Sequence, residues 1–390
     1  MLIHKLQDNE SIYDVAEEYG MSVMMLARQN GIEHPKYVGR GRQLVVIPPT
    51  KTYNARRGDP LERIADRFGT EVSDLIRINP ELMDSRRLYS GQLLAIKIDT
   101  PRYGMAAVNG YCYAGTDRRR FTAMLPYTNY VTLCSARSSG CEVAMLFDDR
   151  ALLEATVAAG KFPVLRIYMA EPPRAGELHD LVNAIKMLIG SKGYRGVAIG
   201  NAGILGKDAC ELMLKLKNAL SDDEVTVIAE ADLSCETEHT EYADISVLTY
   251  DKLHFDSPPS FAEGERAAME RFATEHSSMT AMLELSSFAR LGEGFIEKER
   301  AGEILTRARC IDFDDEALLC KCEHKGKTLI SETAENTKAK LECVSELGFM
   351  GISFDMMRLP IREIMLLTAM FSPISMSGRR YQTPRCTGGM

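Results

Sequence analysis

The sequence predicts an α/β protein in which two small β-α-α-β modules precede a (β/α)₈ barrel with a small insertion between strands seven and eight. Two observations predict this architecture. Residues 12–47 recur 49 positions later, and strand-like apolar runs then alternate with amphipathic helical stretches through 101–390. The 45% hydrophobic content of the 390 residues is typical of globular folding, and no run reaches the roughly 18 apolar residues of a membrane span.

The internal repeat predicts modules at 1–49 and 50–98. In each copy the first apolar residues follow a helical spacing, a second short helix ends at an asparagine, and a strand beginning near Gln-Leu closes the unit. At the offset of 49, Gly20 aligns with Gly69 and Asn30 with Asn79, but Arg42 falls opposite Gly91. The first copy therefore departs further from a regular pattern.

These residues and their β-α-α-β order resemble LysM, a small module that binds glycans containing N-acetylglucosamine. The resemblance implies a groove in each repeat, between the loop before the first helix and the loop after the second. The candidate glycan-binding residues are Asp8, Asn9, Asn30, Gly31, Gly58, Asp59, Asn79 and Pro80. The alternative is that these residue types only form turns and caps. Because repeat one departs further from the pattern, we expect repeat two to dominate binding.

Eight strand-like runs predict the barrel over 101–390. They lie at 105–111, 130–135, 162–168, 196–200, 225–229, 245–250, 280–285 and 351–354. Helical stretches, including 296–308, separate most of them. Residues 309–330 instead predict a small inserted hairpin that turns at His324-Lys325-Gly326.

The segment from Arg195 to Ala202 covers the fourth strand and resembles the D-G-x-D-x-D-x-E signature of glycoside hydrolase family 18. Within that family the chain is most similar to the two-LysM, spore cortex-lytic N-acetylglucosaminidases that act in germination. The four acidic slots hold Arg195, Ala198, Gly200 and Ala202. In the family the final glutamic acid protonates the leaving oxygen and an aspartate orients the substrate acetamide. The resemblance therefore implies a barrel without its catalytic acid, a pseudoenzyme.

Two carboxylates elsewhere in the barrel are candidates for a relocated acid. Glu230 ends strand five and Glu284 lies in strand seven. The alternative is that such a carboxylate pairs with Arg166 or a nearby lysine and stabilises the barrel mouth. We expect Arg195, at the opposite end of strand four, only to pair with a surface carboxylate.

The resemblance also implies a sugar pocket formed by Tyr111, Tyr250, Asp251 and Asp355. In the family, the tyrosine and aspartate that match Tyr250 and Asp251 reach the N-acetyl group, although here Asp251 could simply anchor a loop. Asp355 stands where the family has a platform tryptophan, and the chain has no tryptophan. We expect Asp355 to pair with Arg166 or hold Tyr250, which would close the pocket.

Charge and cysteine usage limit the partners. Residues 1–100 carry 14 charges of each sign, so the net charge of −8 belongs to the rest of the chain, and no basic face predicts a nucleic-acid partner. The N-terminus lacks the pattern of a signal peptide, which predicts synthesis without secretion. The ten scattered cysteines favour free thiols, and Cys320-x-Cys322-x-His324 does not match a zinc site, so we predict no metal and no cofactor.

The sequence thus predicts a protein that binds peptidoglycan or another N-acetylglucosamine glycan, with an inactive barrel as scaffold or targeting module. By resemblance alone, its place is the spore envelope, with spore coat proteins as possible partners. Two alternatives stay open: an active N-acetylglucosaminidase with a relocated acid, and a barrel lectin.

Overall fold

A computed structural model describes residues 1–38, 41–83, 88–99, 103–174, 176–255, 257–308 and 311–374. Its N-terminal part consists of two β-α-α-β modules, each closed by one antiparallel strand pair. Repeat one contains β1 (Leu2–Lys5), α1 (Ile12–Glu18), α2 (Val23–Gln29) and β2 (Gln43–Val46). Repeat two contains β3 (Lys51–Asn54), α3 (Leu61–Phe68), α4 (Val72–Ile78) and β4 (Leu93–Lys97).

Local signals account for the short helices. Ser11 caps α1 in a capping box with Asp14, and Ser22 caps α2 by accepting from the Met25 amide. Helix α3 ends at Gly69, whose φ of 64° is a left-handed conformation that glycine adopts without strain.

Strand pairing corrects the alignment of the two repeats. Asn30 bonds the backbone of Val45, whereas Asn79 bonds the backbone of Ala95, so the offset changes from 49 to 50 between the second helix and the closing strand. The counterpart of Gly91 is Gly41, and both have a positive φ. The expected alignment of Arg42 with Gly91 is wrong because the loop of repeat two is one residue longer.

The C-terminal part is a parallel barrel closed by hydrogen bonds between its first and last strands. The strands of this part of the chain, both barrel and insertion, are β5 (Met105–Cys112), β6 (Tyr130–Ser139), β7 (Glu142–Met145), β8 (Phe162–Glu171), β9 (Gly196–Gly200), β10 (Thr226–Asp232), β11 (Ile245–Thr249), β12 (Ala281–Leu285), β13 (Phe288–Leu291), β14 (Gly294–Glu297), β15 (Asp312–Asp314), β16 (Leu319–His324), β17 (Lys327–Glu332), β18 (Gly351–Asp355) and β19 (Ser372–Pro373). The barrel order is β5-β6-β8-β9-β10-β11-β12-β18, which confirms the predicted fold class.

Helices follow most barrel strands and cover the outside of the barrel, except α10 (Lys298–Arg307), which belongs to the insertion between β12 and β18. They are α5 (Arg118–Met124), α6 (Arg150–Ala158), α7 (Leu178–Lys192), α8 (Asp208–Leu220), α9 (Ala267–Glu275), α10 (Lys298–Arg307), α11 (Ala334–Glu346) and α12 (Ile361–Met370).

The insertion between β12 and β18 is larger than the sequence predicts. It is a five-stranded antiparallel sheet of order β14-β13-β17-β16-β15, and it begins shortly after Leu285. Helix α10 packs on this sheet, so the stretch at 296–308 is not a barrel helix. The predicted turn near Lys325 and Gly326 is present, whereas the predicted start of the insertion at 309 lies outside the described residues. Strands β13 and β14 have only four residues each, too few to give a clear periodic signal.

Both repeats pack on the barrel. Helix α12 contacts α2 and α4, and the Tyr127 hydroxyl donates to the Ile76 carbonyl at 2.9 Å. On the other side, Gln43 Oε1 accepts from the Ala334 amide at 2.8 Å, and Arg42 donates to the Gly302 carbonyl. The proposed domain start at 101 lies outside the described residues.

A chain of buried charges joins the insertion to the barrel. Lys252 pairs with Glu265 at 2.8 Å, and Lys340 lies 2.9 Å from Glu265 and 2.6 Å from Glu332. Lys298 continues the chain to Glu332 at 2.9 Å and to Glu363 at 3.1 Å. All six side chains are buried, and charge alternates along them. Burial opposes ionisation of Glu332, but the three lysines outweigh it and hold the pKa of Glu332 far below its usual value.

Candidate functional site

A charged cluster occupies the inside of the barrel next to the end of β9. Arg166 of β8 donates from Nε and Nη2 to the two carboxylate oxygens of Glu230 on β10, both at 2.6 Å. The Tyr111 hydroxyl on β5 donates to the same carboxylate at 2.8 Å. Burial opposes the charge on Arg166, but the attraction of Glu230 outweighs it and raises the pKa of Arg166. The pairing expected for a mouth carboxylate is thus present at Glu230.

The Arg166 guanidinium fills the space that a side chain at position 200 would need. A Cβ atom placed on Gly200 would lie 2.5 Å from Arg166 Nη2, far inside van der Waals contact. In the resembling family this position carries the aspartate that orients the acetamide. Here any side chain at 200 would require the Arg166–Glu230 pair to move.

The remaining slots of the signature offer no proton. Ala198 and Ala202 are each 1% exposed, and Ala202 begins a short 3₁₀ turn. Asn201 between β9 and that turn has a left-handed backbone, and its amide donates to the Met169 carbonyl at 2.9 Å. Arg195 stacks on the Phe162 ring at 4.5 Å and makes no ion pair within the described ranges, so the expected surface pair is wrong.

Glu284 is the other carboxylate of the barrel interior. Burial, together with the negative charge of Glu230, raises the pKa of Glu284 to about 8. Among the described residues it has no hydrogen-bond partner. A pKa of about 8 favours the protonated form of Glu284 at neutral pH, and only its place in strand seven marks it in the sequence.

Asp355 does not reach Arg166 or Tyr250. Its carboxylate accepts from the Met357 and Arg358 amides and pairs with Arg358 Nη1 at 2.6 Å. The expectation is wrong because an arginine three residues further on in the same turn is a closer partner.

Tyr250 and Asp251 belong to the loop after β11. Asp251 Oδ1 caps a short turn by accepting from the Leu253 amide at 2.9 Å, and Oδ2 lies 3.2 Å from His254 Nε2. Burial raises the pKa of Asp251. The Tyr250 ring stacks on Phe255 with centroids 6.2 Å apart. These contacts are those of a loop anchor.

In each repeat a carboxylate locks the loop before the first helix. Glu10 accepts from the Gln7 amide at 2.8 Å and lies 3.0 Å from His4 Nε2. Asp59 accepts from the Arg56 amide and the Tyr53 hydroxyl, both at 2.8 Å. The backbone bonds, followed by the side-chain bonds, lower the pKa of Glu10 and of Asp59. Asp59 therefore serves the loop itself.

Asn30 and Asn79 hold the loop after the second helix. Asn30 donates to the Leu26 and Val45 carbonyls and accepts from the Val45 amide, and Asn79 makes the same three bonds in its repeat. Both side chains are buried. Their amide groups are used by the fold, so a sugar in either groove would meet other groups.

The two grooves differ in access. In repeat one, Asp8, Asn9 and Gly31 are exposed. In repeat two, Gly58 is exposed but Pro80 is buried, because the segment Pro80–Leu82 packs on α2 of repeat one. One wall of the second groove is therefore covered.

A possible cation cluster in repeat one has a simpler explanation. Ligand atoms of His4, Glu10 and Glu18 lie within 4.8 Å of one another. The His4–Glu10 contact has a counterpart in the Tyr53–Asp59 bond of repeat two, so each repeat holds this loop with one side-chain pair. The cluster thus serves the loop.

The eight described cysteines are free thiols, as the sequence predicts. Cys310 and Cys386 lie outside the described residues. Within the ranges that the structure describes, no helix has the length and apolar character of a membrane span.

Comparison with known proteins supports both parts of this architecture. The sequence model of the LysM domain matches residues 4–46 and 53–97, so the chain contains two LysM domains. The Bacillus phage B103 endolysin is 26% identical over 99 residues, which are 24% of this chain and 38% of the endolysin. The chain thus spans well under half of that relative.

Two solved structures resemble nearly the whole chain. The spore cortex-lytic enzyme SleL of Bacillus cereus has a TM-score of 0.71 at 16% identity, covering 96% of this chain and 99% of SleL. SleL of Bacillus megaterium QM B1551 has a TM-score of 0.69 at 14% identity, with 95% and 98% covered. The LysM domains and the family 18-like barrel are thus arranged as in these enzymes, and at such low identity the likeness concerns the fold alone.

Proposed function

We propose that the chain is a glycan-binding protein of the spore envelope, which recognises peptidoglycan or a related N-acetylglucosamine polymer and whose barrel does not hydrolyse it. The observation that carries the proposal is the end of β9. Gly200 is covered by Arg166, and Ala202 cannot donate a proton. Losing a general acid alone typically removes about 10²- to 10⁴-fold in rate.

The barrel then serves as a rigid support for the two LysM domains. Helix α12 contacts both repeats, and Tyr127 bonds the end of α4. Such a support presents the grooves in a fixed orientation. Spore coat proteins remain candidate partners of the barrel through the resemblance alone.

Groove access favours repeat one as the main sugar site. Both of its walls are exposed at Asp8, Asn9 and Gly31, whereas Pro80 of repeat two is buried. This reverses the expectation drawn from the sequence, which rested in part on the misaligned Gly91.

One observation favours a second candidate function, hydrolysis by a relocated acid. Glu284 is protonated near neutral pH and lies close enough to Glu230 for their charges to interact. A protonated carboxylic acid beside an ionised one is the arrangement that glycosidases use. Against this, Glu230 is already bonded by Arg166 and Tyr111.

Reducing-sugar release from peptidoglycan and chitin oligomers tests the proposal, with an active glycosidase as positive control. We expect the full chain to release nothing above background while it still sediments with the insoluble glycan. Turnover that disappears in Glu284→Gln or Glu230→Gln would establish the relocated acid and overturn the inactive barrel. Binding retained after deletion of residues 1–98 would assign the lectin to the barrel.

A further inference from the structure

A cleft lies where the second LysM domain meets the barrel. Its volume is about 370 Å³, and it separates the loop after α4 from one face of α5. Buried Met83 and Ala123 give it an apolar floor, while exposed Arg118, Arg119 and Thr122 form its rim.

The two rim arginines have no partner in the described part of the chain. Most buried or half-buried arginines of the protein pair with a carboxylate, as Arg28 does with Glu81 and Arg166 with Glu230. Asp117, next to Arg118, caps α5 by accepting from the Arg120 amide at 2.8 Å. No carboxylate of the described residues forms an ion pair with Arg118 or Arg119.

Other positive charges collect at the same junction. Burial raises the pKa of Tyr127, and the cations Arg77 and Arg120 act against that rise, so both lie within electrostatic reach of its hydroxyl. Burial and the charge of Arg77 lower the pKa of Lys161, which donates to the Thr128 carbonyl. Arg77 is paired with Asp74, and Glu81 lies near the same hydroxyl, whereas Arg118, Arg119, Arg120 and Lys161 have no ion-pair partner among the described residues. These four cations favour an anionic ligand at the junction.

From this geometry we infer that the cleft binds a carboxylate-bearing substituent of the glycan, of the kind that the peptide stems of peptidoglycan carry. A guanidinium donates two parallel hydrogen bonds to a carboxylate, and two adjacent arginines at an uncovered rim can each do so. The apolar floor of Met83 and Ala123 suits the short aliphatic side chains of such a peptide.

The position of the cleft relates it to the glycan sites. The cleft also adjoins repeat one, the favoured sugar site, because Arg28 near the end of α2 lies 3.0 Å from Glu81, which closely precedes Met83. A substituent on a sugar chain bound at the loop after α2 therefore needs to extend only a short distance. The inference rests on the proposed function, because the substituent reaches the cleft as part of a bound glycan.

Calorimetric titration of the full chain tests the inference with three probes. They are a neutral N-acetylglucosamine oligomer, a disaccharide–tetrapeptide, and the same disaccharide–tetrapeptide with its carboxyl groups amidated. We expect the charged muropeptide to bind about tenfold more tightly than the amidated one, as expected for charge-assisted pairing. The double variant Arg118→Gln, Arg119→Gln should lose this preference and keep its affinity for the neutral oligomer.

The matched control is Arg150→Gln with Arg300→Gln, two exposed helix arginines that do not line the cleft. This control should keep the preference, and a rise in salt should remove the preference from the native chain. A preference that survives in the cleft variant overturns the inference, as does equal binding of charged and amidated muropeptides. If inorganic phosphate at equal concentration displaces the charged muropeptide, the cleft prefers phosphate to a carboxylate, and the inferred ligand is wrong. If neither the oligomer nor a muropeptide binds, the proposed function fails as well.

Discussion

The two LysM domains share a backbone plan, yet they are built into the molecule differently. Repeat two has a core that is continuous with the barrel core, including Leu61, Ile64 and Leu75. Repeat one has a largely separate core around Ile12, Val15 and Leu26. Two copies of one module can therefore have different roles in a protein. Repeat two shares its core with the barrel, whereas repeat one keeps its groove loops exposed.

The largest expected effect is a loss of stability, and it should differ between the cores of the two repeats. Each of Asn30 and Asn79 makes three buried hydrogen bonds, so Asn30→Ala and Asn79→Ala should each cost about 2–4 kcal/mol in the free energy of unfolding. Asn79→Ala should lower the stability of repeat two and barrel together. Asn30→Ala should release repeat one before the barrel unfolds.

Hydrogen exchange during denaturant titration resolves the two regions. The shared-core interpretation is wrong if Asn79→Ala loosens only residues of repeat two. These variants cannot report on sugar contacts, because their side chains hold the fold.

An intermediate effect concerns the grooves. A tryptophan in the first loop should block a sugar that enters there, so we expect Asp8→Trp to lower sedimentation with peptidoglycan about tenfold, roughly 1.4 kcal/mol. Arg57→Trp, at the equivalent place in repeat two, should change it less than about twofold because the opposite wall is covered.

Glu17→Trp, on the exposed face of α1, is the control for a tryptophan that does not border the loop. Equal losses for Asp8→Trp and Arg57→Trp would mean that both grooves bind. A larger loss for Arg57→Trp would restore the order expected from the sequence.

The smallest effect concerns the contact between the repeats. Arg28 Nη1 lies 3.0 Å from Glu81 and Nη2 lies 2.6 Å from the Tyr89 hydroxyl, with both ion-pair partners partly exposed. Arg28→Ala should cost at most about 1 kcal/mol, because such pairs are screened by water and salt. Thermal unfolding at low and high salt measures it, and an effect above that limit would show that the interface depends on this pair.

Much of the fold could be predicted from the sequence, because the repeat and the alternation of strands and helices are long periodic signals. The insertion was underestimated since β13 and β14 are too short to show a period. The sequence alignment placed Arg42 opposite Gly91, whereas the structure makes Gly41 its counterpart. Residue identity alone could not show this, because register follows backbone hydrogen bonds.

At the candidate site, the missing acids could be read directly, but most pairings could not. The Arg166–Glu230 pair joins β8 to β10 across β9, whereas the Asp355–Arg358 pair lies within one local turn and competes with any partner across the barrel. The cleft beside Arg118 arises from docking of repeat two on α5, and no sequence period encodes such a contact.

The alternating chain from Lys252 to Glu363 has a consequence for how this protein can change over time. Removing one member leaves a buried charge without its partner, at a typical cost of about 3–5 kcal/mol, whereas exchanging a whole pair for apolar residues can be neutral. We therefore expect substitutions at Lys298, Glu332 and Lys340 to occur jointly among descendants of this sequence. The Arg166–Glu230 pair inside the barrel is under the same constraint, so we expect those two positions to change together as well.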